Sequence, residues 1–396
     1  MNTVQEEIIW NKLDSFEIEI PSWGFSQTGT RFGKFVQPGA AVSIDHKMSD
    51  AGIVHKLTGC CPAVAVHVLW DFPNGKESAR EVSALASKYG VRVGAINPNV
   101  FQGQEYKHGS LGNPDPEIRQ AALQHILDSI DIATEVGSRD ISLWFGDGSN
   151  YPGTANIRHR RQWFEDGLRA AHDRLVQGER LLVEYKPFEP AFYHTDIADW
   201  GMALLLARAA GPQARVLVDT GHHYQAQNIE QIVAWLLHEE MLGGFHFNDR
   251  QYADDDLTIG SVHPYQVFRI FHEIHYYGWE LDSEPAIGYM IDQSHNLKPK
   301  VEETIQTAMT AQEMFVKAAL VDHESLAYHQ ERCNLIDAEE LLKAAFAEDV
   351  RPVIEAWRRS HNLPSNPLIG YRESGYQERI EKERAEANAR SVSSYA

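Results

Sequence analysis

Cysteine is nearly absent. Cys60, Cys61 and Cys333 are the only three in 396 residues, too few for a disulfide framework, and the adjacent pair lacks the spacing of a zinc knuckle, so buried packing is its expected role. The fold must hold by packing, and a reducing cytoplasm is the expected compartment. Positive charge is the minority as well: 36 Lys and Arg stand against 56 Asp and Glu, a formal charge of -20. That balance argues against nucleic acid or an anionic membrane surface as a partner. No window approaches the roughly 20 apolar residues of a membrane helix. The first twenty residues carry acidic side chains where a secretory signal needs basic ones. No G-x-G-x-x-G follows a first strand, and no solenoid period recurs.

What is present is a chain with 43% hydrophobic residues, enough to bury a large core, and a rhythm. After a short amphipathic helix over 4–14, an alternating strand is expected at 16–23, then a long irregular stretch to about residue 59 that reads as a functional or interfacial loop. From there apolar strand segments at 61–70, 91–97, 139–145, 180–186, 215–219, 243–248 and 287–292 alternate with helical segments at 78–89, 116–136, 157–176, 196–210, 229–238, 264–275 and from about 299. Eight strands separated by helices imply parallel pairing with right-handed crossovers, and favour a closed (β/α)₈ TIM barrel over an open doubly wound sheet. Beyond residue 300 the pattern is helical only. The expected organisation is therefore a catalytic barrel over 1–300 and a helical extension over 301–396 that packs on the barrel or on a neighbouring subunit.

The strand Val216-Leu-Val-Asp219 runs into Thr220-Gly-His-His223, and its C-terminal end spills polar groups where barrels keep their chemistry. Other strand ends match it. Glu184 and Lys186 end one strand, Asp219 and His222 the next, His246 and Asp249 the following one, and Asp292 the last, with Asp254 and Asp256 on a loop between. Acidic groups and imidazoles converging at one barrel face are electrostatically untenable without cations. The set divides into two sites: Glu184, Asp219, His246 and Asp292 for one ion, and His222, Asp254, Asp256 and a bridging Asp219 for the other. Carboxylates with one imidazole per site suit Mn²⁺, with Co²⁺, Zn²⁺ or Mg²⁺ as rivals.

The segments IEIPSWGFSQTGTRFG, HVLWD, INPN, LWFGDGSNYPG, VEYKPFEP, VDTGHH, HFNDRQYADDD, MIDQSHN and YRESGYQERI closely resemble the bacterial L-rhamnose isomerases of the Pseudomonas type, relatives of the xylose isomerase group. The resemblance spans nearly the whole chain. It implies a metal-dependent aldose–ketose isomerase, usually tetrameric, with two Mn²⁺-type ions held by the residues partitioned above. It further implies that Lys186 stands near the substrate's C1 oxygen, that His67, followed by Asp71, opens or orients the sugar, and that Trp23, Trp70 and Trp144 wall the pocket. Phe32 corresponds to a residue that reaches into a neighbour's active site. The reaction implied is L-rhamnose to L-rhamnulose, with related aldoses, by a C2-to-C1 hydride shift; Asp292 stands with His67 and Lys186 among the catalytic residues. A ketose 3-epimerase or a metal-dependent hydrolase on the same barrel is the rival; His222, Asp254 and Asp256 argue against the epimerase.

Three other features read as structural. His272-Glu-Ile-His275 is one residue short of H-E-x-x-H and reads as a solvated or capping cluster. His223 stands beside a ligand candidate and points away from it. The charge run 378–390 reads as a solvated helix face.

Overall fold

The computed structural model describes residues 3–30, 33–149, 151–189, 193–294 and 297–390. Eight parallel strands form one sheet in chain order: β1 (Ile20–Pro21), β2 (Ala63–His67), β3 (Arg92–Asn97), β4 (Asp140–Leu143), β5 (Arg180–Glu184), β6 (Ala214–Asp219), β7 (Leu242–Phe247) and β8 (Gly288–Ile291). The sheet closes on itself. Glu19 bridges Met290 in parallel, its N–H donating to the Tyr289 carbonyl at 2.8 Å and its carbonyl accepting from Ile291 at 2.9 Å. The fold is the expected (β/α)₈ barrel, and near-continuous apolar strands such as Val216–Val218 are buried on both faces, as parallel sheets require.

Each strand is followed by a helix: α2 (Ile44–Thr58), α3 (Ala79–Lys88), α4 (Pro116–Val136), α5 (Ile157–His172), α6 (Trp200–Ala210), α7 (Ile229–His238), α8 (Pro264–Leu281) and α9 (Lys300–Ala318); α1 (Thr3–Ser15) precedes the barrel. Residue 300 begins the eighth barrel helix, so the barrel drawn by these elements runs to Ala318. The first strand is shorter than the alternation over 16–23 suggests, because Pro21 and a 3₁₀ turn at Ser22–Phe25 end it.

The stretch expected to be loop contains α2. Ser43 caps it, accepting from His46 N at 3.3 Å, and Gly59 ends it with φ 76°. Its polar Lys47 and Asp50 are buried beside Met48, Ala51, Val54 and Leu57, so no polar face announces the helix.

The helical extension runs from α10 (His323–Glu331) to α15 (Ala385–Arg390); Phe346 packs on Tyr265 and Phe268 of α8, and the last part of the extension reaches α2. Arg384, in the charge run expected to be solvated, is 2% exposed and pairs with Asp50 of α2 through two 2.8 Å bonds. Tyr376 donates to the same carboxylate at 2.7 Å. That run is therefore a docking face, and a buried carboxylate is what recruits its arginine. His272 and His275 are likewise buried, not solvated: His275 Nε2 lies 3.1 Å from the Phe315 carbonyl, and burial pushes both imidazoles down to about 3. Cys60 and Cys61 are buried free thiols. No helix among the described residues is long and apolar enough to cross a membrane.

Candidate metal centre

The strand register brings the site together. Asp219 pairs with His246 across β6 and β7, Leu217 pairs with Glu184 across β5 and β6, and Asp292 follows β8 with its N–H on the Phe247 carbonyl at 3.0 Å. One ligand atom from each of Glu184, Asp219, His246 and Asp292 lies within 4.8 Å of the others at the barrel mouth, the first three residues buried and Asp292 partly exposed. His246 Nδ1 stands 3.2 Å from Glu184 Oε2, 3.5 Å from Asp292 Oδ2 and 3.9 Å from Asp219 Oδ2.

Second contacts orient these groups. Asp219 Oδ1 accepts from Gly221 N at 2.7 Å and from Asn248 Nδ2 at 3.0 Å, while Oδ2 makes no hydrogen bond. A Cβ on Gly221 would meet Asn248 Oδ1 at 2.5 Å, so any larger residue there must push the Asn248 amide aside. Asp292 Oδ1 accepts from Trp23 Nε1 at 2.9 Å. Neither ring nitrogen of His246 makes a hydrogen bond of normal geometry, although both are buried. Buried polar atoms left this way are costly unless something else satisfies them.

The second set is looser. His222 Nδ1 lies 3.1 Å from Glu184 Oε1, and its Nε2 lies 3.4 Å from Asp254 Oδ1 and 3.8 Å from Asp219 Oδ2. Asp254 gives its other oxygen to Lys186 Nζ at 2.7 Å, and Lys186 also meets Glu189 at 2.9 Å. Asp256 occupies the left-handed region with φ 50°, a conformation aspartate tolerates better than most residues. The loop carrying both aspartates is fixed by buried Asp249, whose Oδ2 accepts from Val262 N and His263 N at 2.7 and 2.8 Å.

Burial and mutual charge shift these groups far from their ordinary behaviour. Burial pushes Asp219 up to about 7; His222 opposes the shift, and Glu184, Asp292 and Asp254 add to it. Burial, then the charges of Asp254, Asp292 and Asp219, raise Asp256 well above its ordinary range. In Glu184 the burial penalty is outweighed by the imidazoles of His246 and His222, which hold it low. Burial disfavours a charged His246, yet Glu184, Asp292 and Asp219 carry it up to about 9. The balance of protons among these carboxylates and imidazoles is thus set by burial and by the charges they place on one another.

A wall of aromatic rings adjoins the cluster. His67 ends β2 between Trp23 and Trp70, with ring centroids at 4.7 and 4.1 Å, and Phe101 joins Trp70 to Trp144 at 6.2 and 4.8 Å. Burial pushes His67 down to about 3, so it is neutral at ordinary pH. Lys186 Nζ sits 5.3 Å from the Trp144 ring centroid. Asp71 does not face the pocket. It is fully buried, takes Lys47 Nζ on one oxygen at 2.6 Å, and takes Ser22 Oγ and His67 N on the other at 2.5 and 2.9 Å. Phe32 lies outside the described residues. Sequence reasoning missed Phe101, Asn248 and Lys47, for which the sequence offers only position: each lies just past a strand or inside the unannounced helix. His223 turns from the cluster as expected, its Nε2 2.6 Å from the Tyr185 hydroxyl.

The donor set fits a divalent ion of the Mn²⁺, Mg²⁺, Co²⁺ or Zn²⁺ group: three carboxylates and an imidazole converge with unsatisfied atoms turned inward.

The family described as xylose isomerase-like TIM barrel matches residues 62–308. A probable sugar isomerase of Rhizobium meliloti is 38% identical over 382 residues, covering 94% of this chain and 87% of that protein. Among solved structures, a xylose isomerase domain protein from Alicyclobacillus acidocaldarius shares the fold with a TM-score of 0.53 at 15% identity, over 77% of this chain and 99% of that one. D-psicose 3-epimerase from Clostridium cellulolyticum does so with a TM-score of 0.51 at 12% identity, over 80% and 99%. With its eight-unit barrel and a four-residue cluster able to hold a metal, this chain belongs to the xylose isomerase-like TIM barrel family.

Proposed function

We propose that the protein is a metal-dependent aldose–ketose isomerase that converts L-rhamnose to L-rhamnulose and accepts related aldoses, by a C2-to-C1 hydride shift on the open-chain sugar. The observation that carries this reading is the cluster of Glu184, Asp219, His246 and Asp292, with unsatisfied inward atoms, set beside an aromatic-walled pocket. Two divalent ions, Mn²⁺ first, are the proposed cofactors: one on that cluster, the other on His222, Asp254, Asp256 and Asp219. When bound they supply Lewis acidity toward the sugar's oxygens.

The protein's own groups do the rest. Neutral His67, at the pocket wall, is placed to accept the anomeric hydroxyl's proton as the C1–O5 bond breaks and to return a proton to the ring oxygen, which opens the sugar. Burial opposes the Lys186 charge, but Asp254 and Glu189 outweigh it and keep the ammonium protonated, so it can face negative charge developing at O1. Asp71 acts through the segment it braces, holding His67 at the end of β2. Trp23, Trp70, Phe101 and Trp144 present apolar faces to the sugar and keep bulk water from the reacting carbons. Phe32 is proposed to complete the pocket of a neighbouring subunit within a homotetramer.

A ketose 3-epimerase is the rival, and the tightness of one cluster beside the looseness of the second set favours it. Turning over C2-deuterated aldoses in ordinary water, with Mn²⁺ returned after EDTA stripping, separates the two. Label retained at C1 of the ketose supports the isomerase with hydride transfer; washout into solvent rejects that mechanism. An L-rhamnose kcat/KM below that of every other aldose in a panel with L-mannose, L-lyxose and D-allose would reject the substrate.

A further inference from the structure

Trp23 and Asp292 are 269 residues apart in sequence and meet at the seam where the barrel closes. The seam is tight. Glu19 pairs with both Tyr289 and Ile291, and a Cβ on Gly24 would stand 3.1 Å from the Gln293 carbonyl. The Trp23 ring packs against Ala65, Ala95 and Met290 inside the barrel, so its indole cannot swing freely. From that position Nε1 holds Asp292 Oδ1 at 2.9 Å, and the other oxygen, Oδ2, turns to His246 Nδ1 at 3.5 Å. An indole N–H is a donor only, so it favours the ionised carboxylate and fixes which oxygen is left for the cluster. Asn248 and Gly221 treat Asp219 in the same way, holding Oδ1 and leaving Oδ2 unbonded.

We infer that Trp23 is a positioning residue for Asp292, orienting that carboxylate toward the cluster in addition to forming pocket wall. The inference rests on the metal reading of the cluster. Its test reads ion binding in the absence of sugar, which a mere wall residue would not move.

Metal-stripped protein is titrated with Mn²⁺ by calorimetry or electron paramagnetic resonance, as wild type, Trp23→Phe, Asp292→Asn and the double variant. If phenylalanine leaves the barrel underfilled, as judged by circular dichroism and Tm, the benzothienyl isostere of tryptophan at position 23 keeps the shape and removes only the N–H. Loss of that donor is expected to raise the Mn²⁺ Kd about 10- to 100-fold, the usual effect of removing an outer partner of a ligand. In the Asp292→Asn background the same change is expected to have no further effect. A Kd within two-fold of wild type, or effects that simply add, overturns the inference while the metal reading stands. Wild-type protein that binds no Mn²⁺ overturns the metal reading, and the inference with it.

Discussion

The two ends of the barrel both gather buried charge, and they treat it differently. At the N-terminal end, Asp140 takes Arg180 at 2.7 and 2.9 Å and Arg139 at 2.8 Å, beside a cavity of about 400 Å³ lined also by Glu19, Arg92 and Gly94. Carboxylate meets guanidinium there, and the charges cancel within the chain. At the C-terminal mouth, carboxylates meet imidazoles and one another, and Asp219 Oδ2, Asp254 Oδ1 and both His246 nitrogens lack a hydrogen bond. A buried charge kept for stability comes with its partner supplied by the chain; one kept for chemistry is left for a ligand to complete. The contrast separates structure from site without reference to any relative.

The contrast can be broken most forcefully at the mouth. Dialysis against EDTA should lower turnover by at least about 10³-fold, since Lewis-acid stabilisation amounts to several kcal/mol, and Mn²⁺ should restore it; full activity after chelation would remove the basis for assigning the cluster. Asp140→Ala at the base should act oppositely. Arg139 is half exposed and regains water, so leaving chiefly Arg180 without its carboxylate should cost about 1–3 kcal/mol in urea unfolding, while the Mn²⁺ Kd of the folded protein stays put. Gly221→Ala should sharpen the picture at smaller scale: displacing Asn248 from Asp219 is expected to weaken Mn²⁺ binding about 10-fold, read by titration, with little change in Tm.

The smallest effect concerns Glu19. Burial pushes this carboxyl from 4.5 up to about 7, against its bond from Ala95 N, and Asp140 adds to the rise. Because the folded pKa lies above the unfolded one, the folded state binds the proton more tightly, so its stabilising contribution is full below about 4.5 and is lost as pH rises toward 7. Unfolding free energies from urea titrations across that window should fall more for wild type than for Glu19→Gln, by on the order of 1 kcal/mol once solvent in the cavity is allowed for. Parallel curves would show that Glu19 does not titrate there.

The barrel was legible because its strands are short apolar runs between helices with clear stops: α4 and α7 have the limits that Pro116, Gly137 and the apolar periodicity imply. Glu184, Asp219, His246 and Asp292 were legible because parallel strands bring their ends to one face, so position along the chain becomes position at the mouth. What was hidden depends on contacts between distant segments. Lys47 and Asp50 disguise α2 by being buried, and their partners Asp71 and Arg384 lie 24 and 334 residues away. The docking of the charge run and the turn of Asp71 away from the pocket follow from those pairs. Asn248 carries no pattern of its own; its role exists only because Gly221 leaves room beside it.

The seam at Glu19, Tyr289 and Ile291 bears on the order in which this protein comes into being. Joining β1 to β8 draws together segments separated by most of the barrel's length, the kind of pairing that chain entropy delays. Asp292 meets Trp23 only once that ring is complete. A chain still on the ribosome, or one clipped before β8, therefore lacks the finished four-residue cluster, which only a molecule with its ring closed can present.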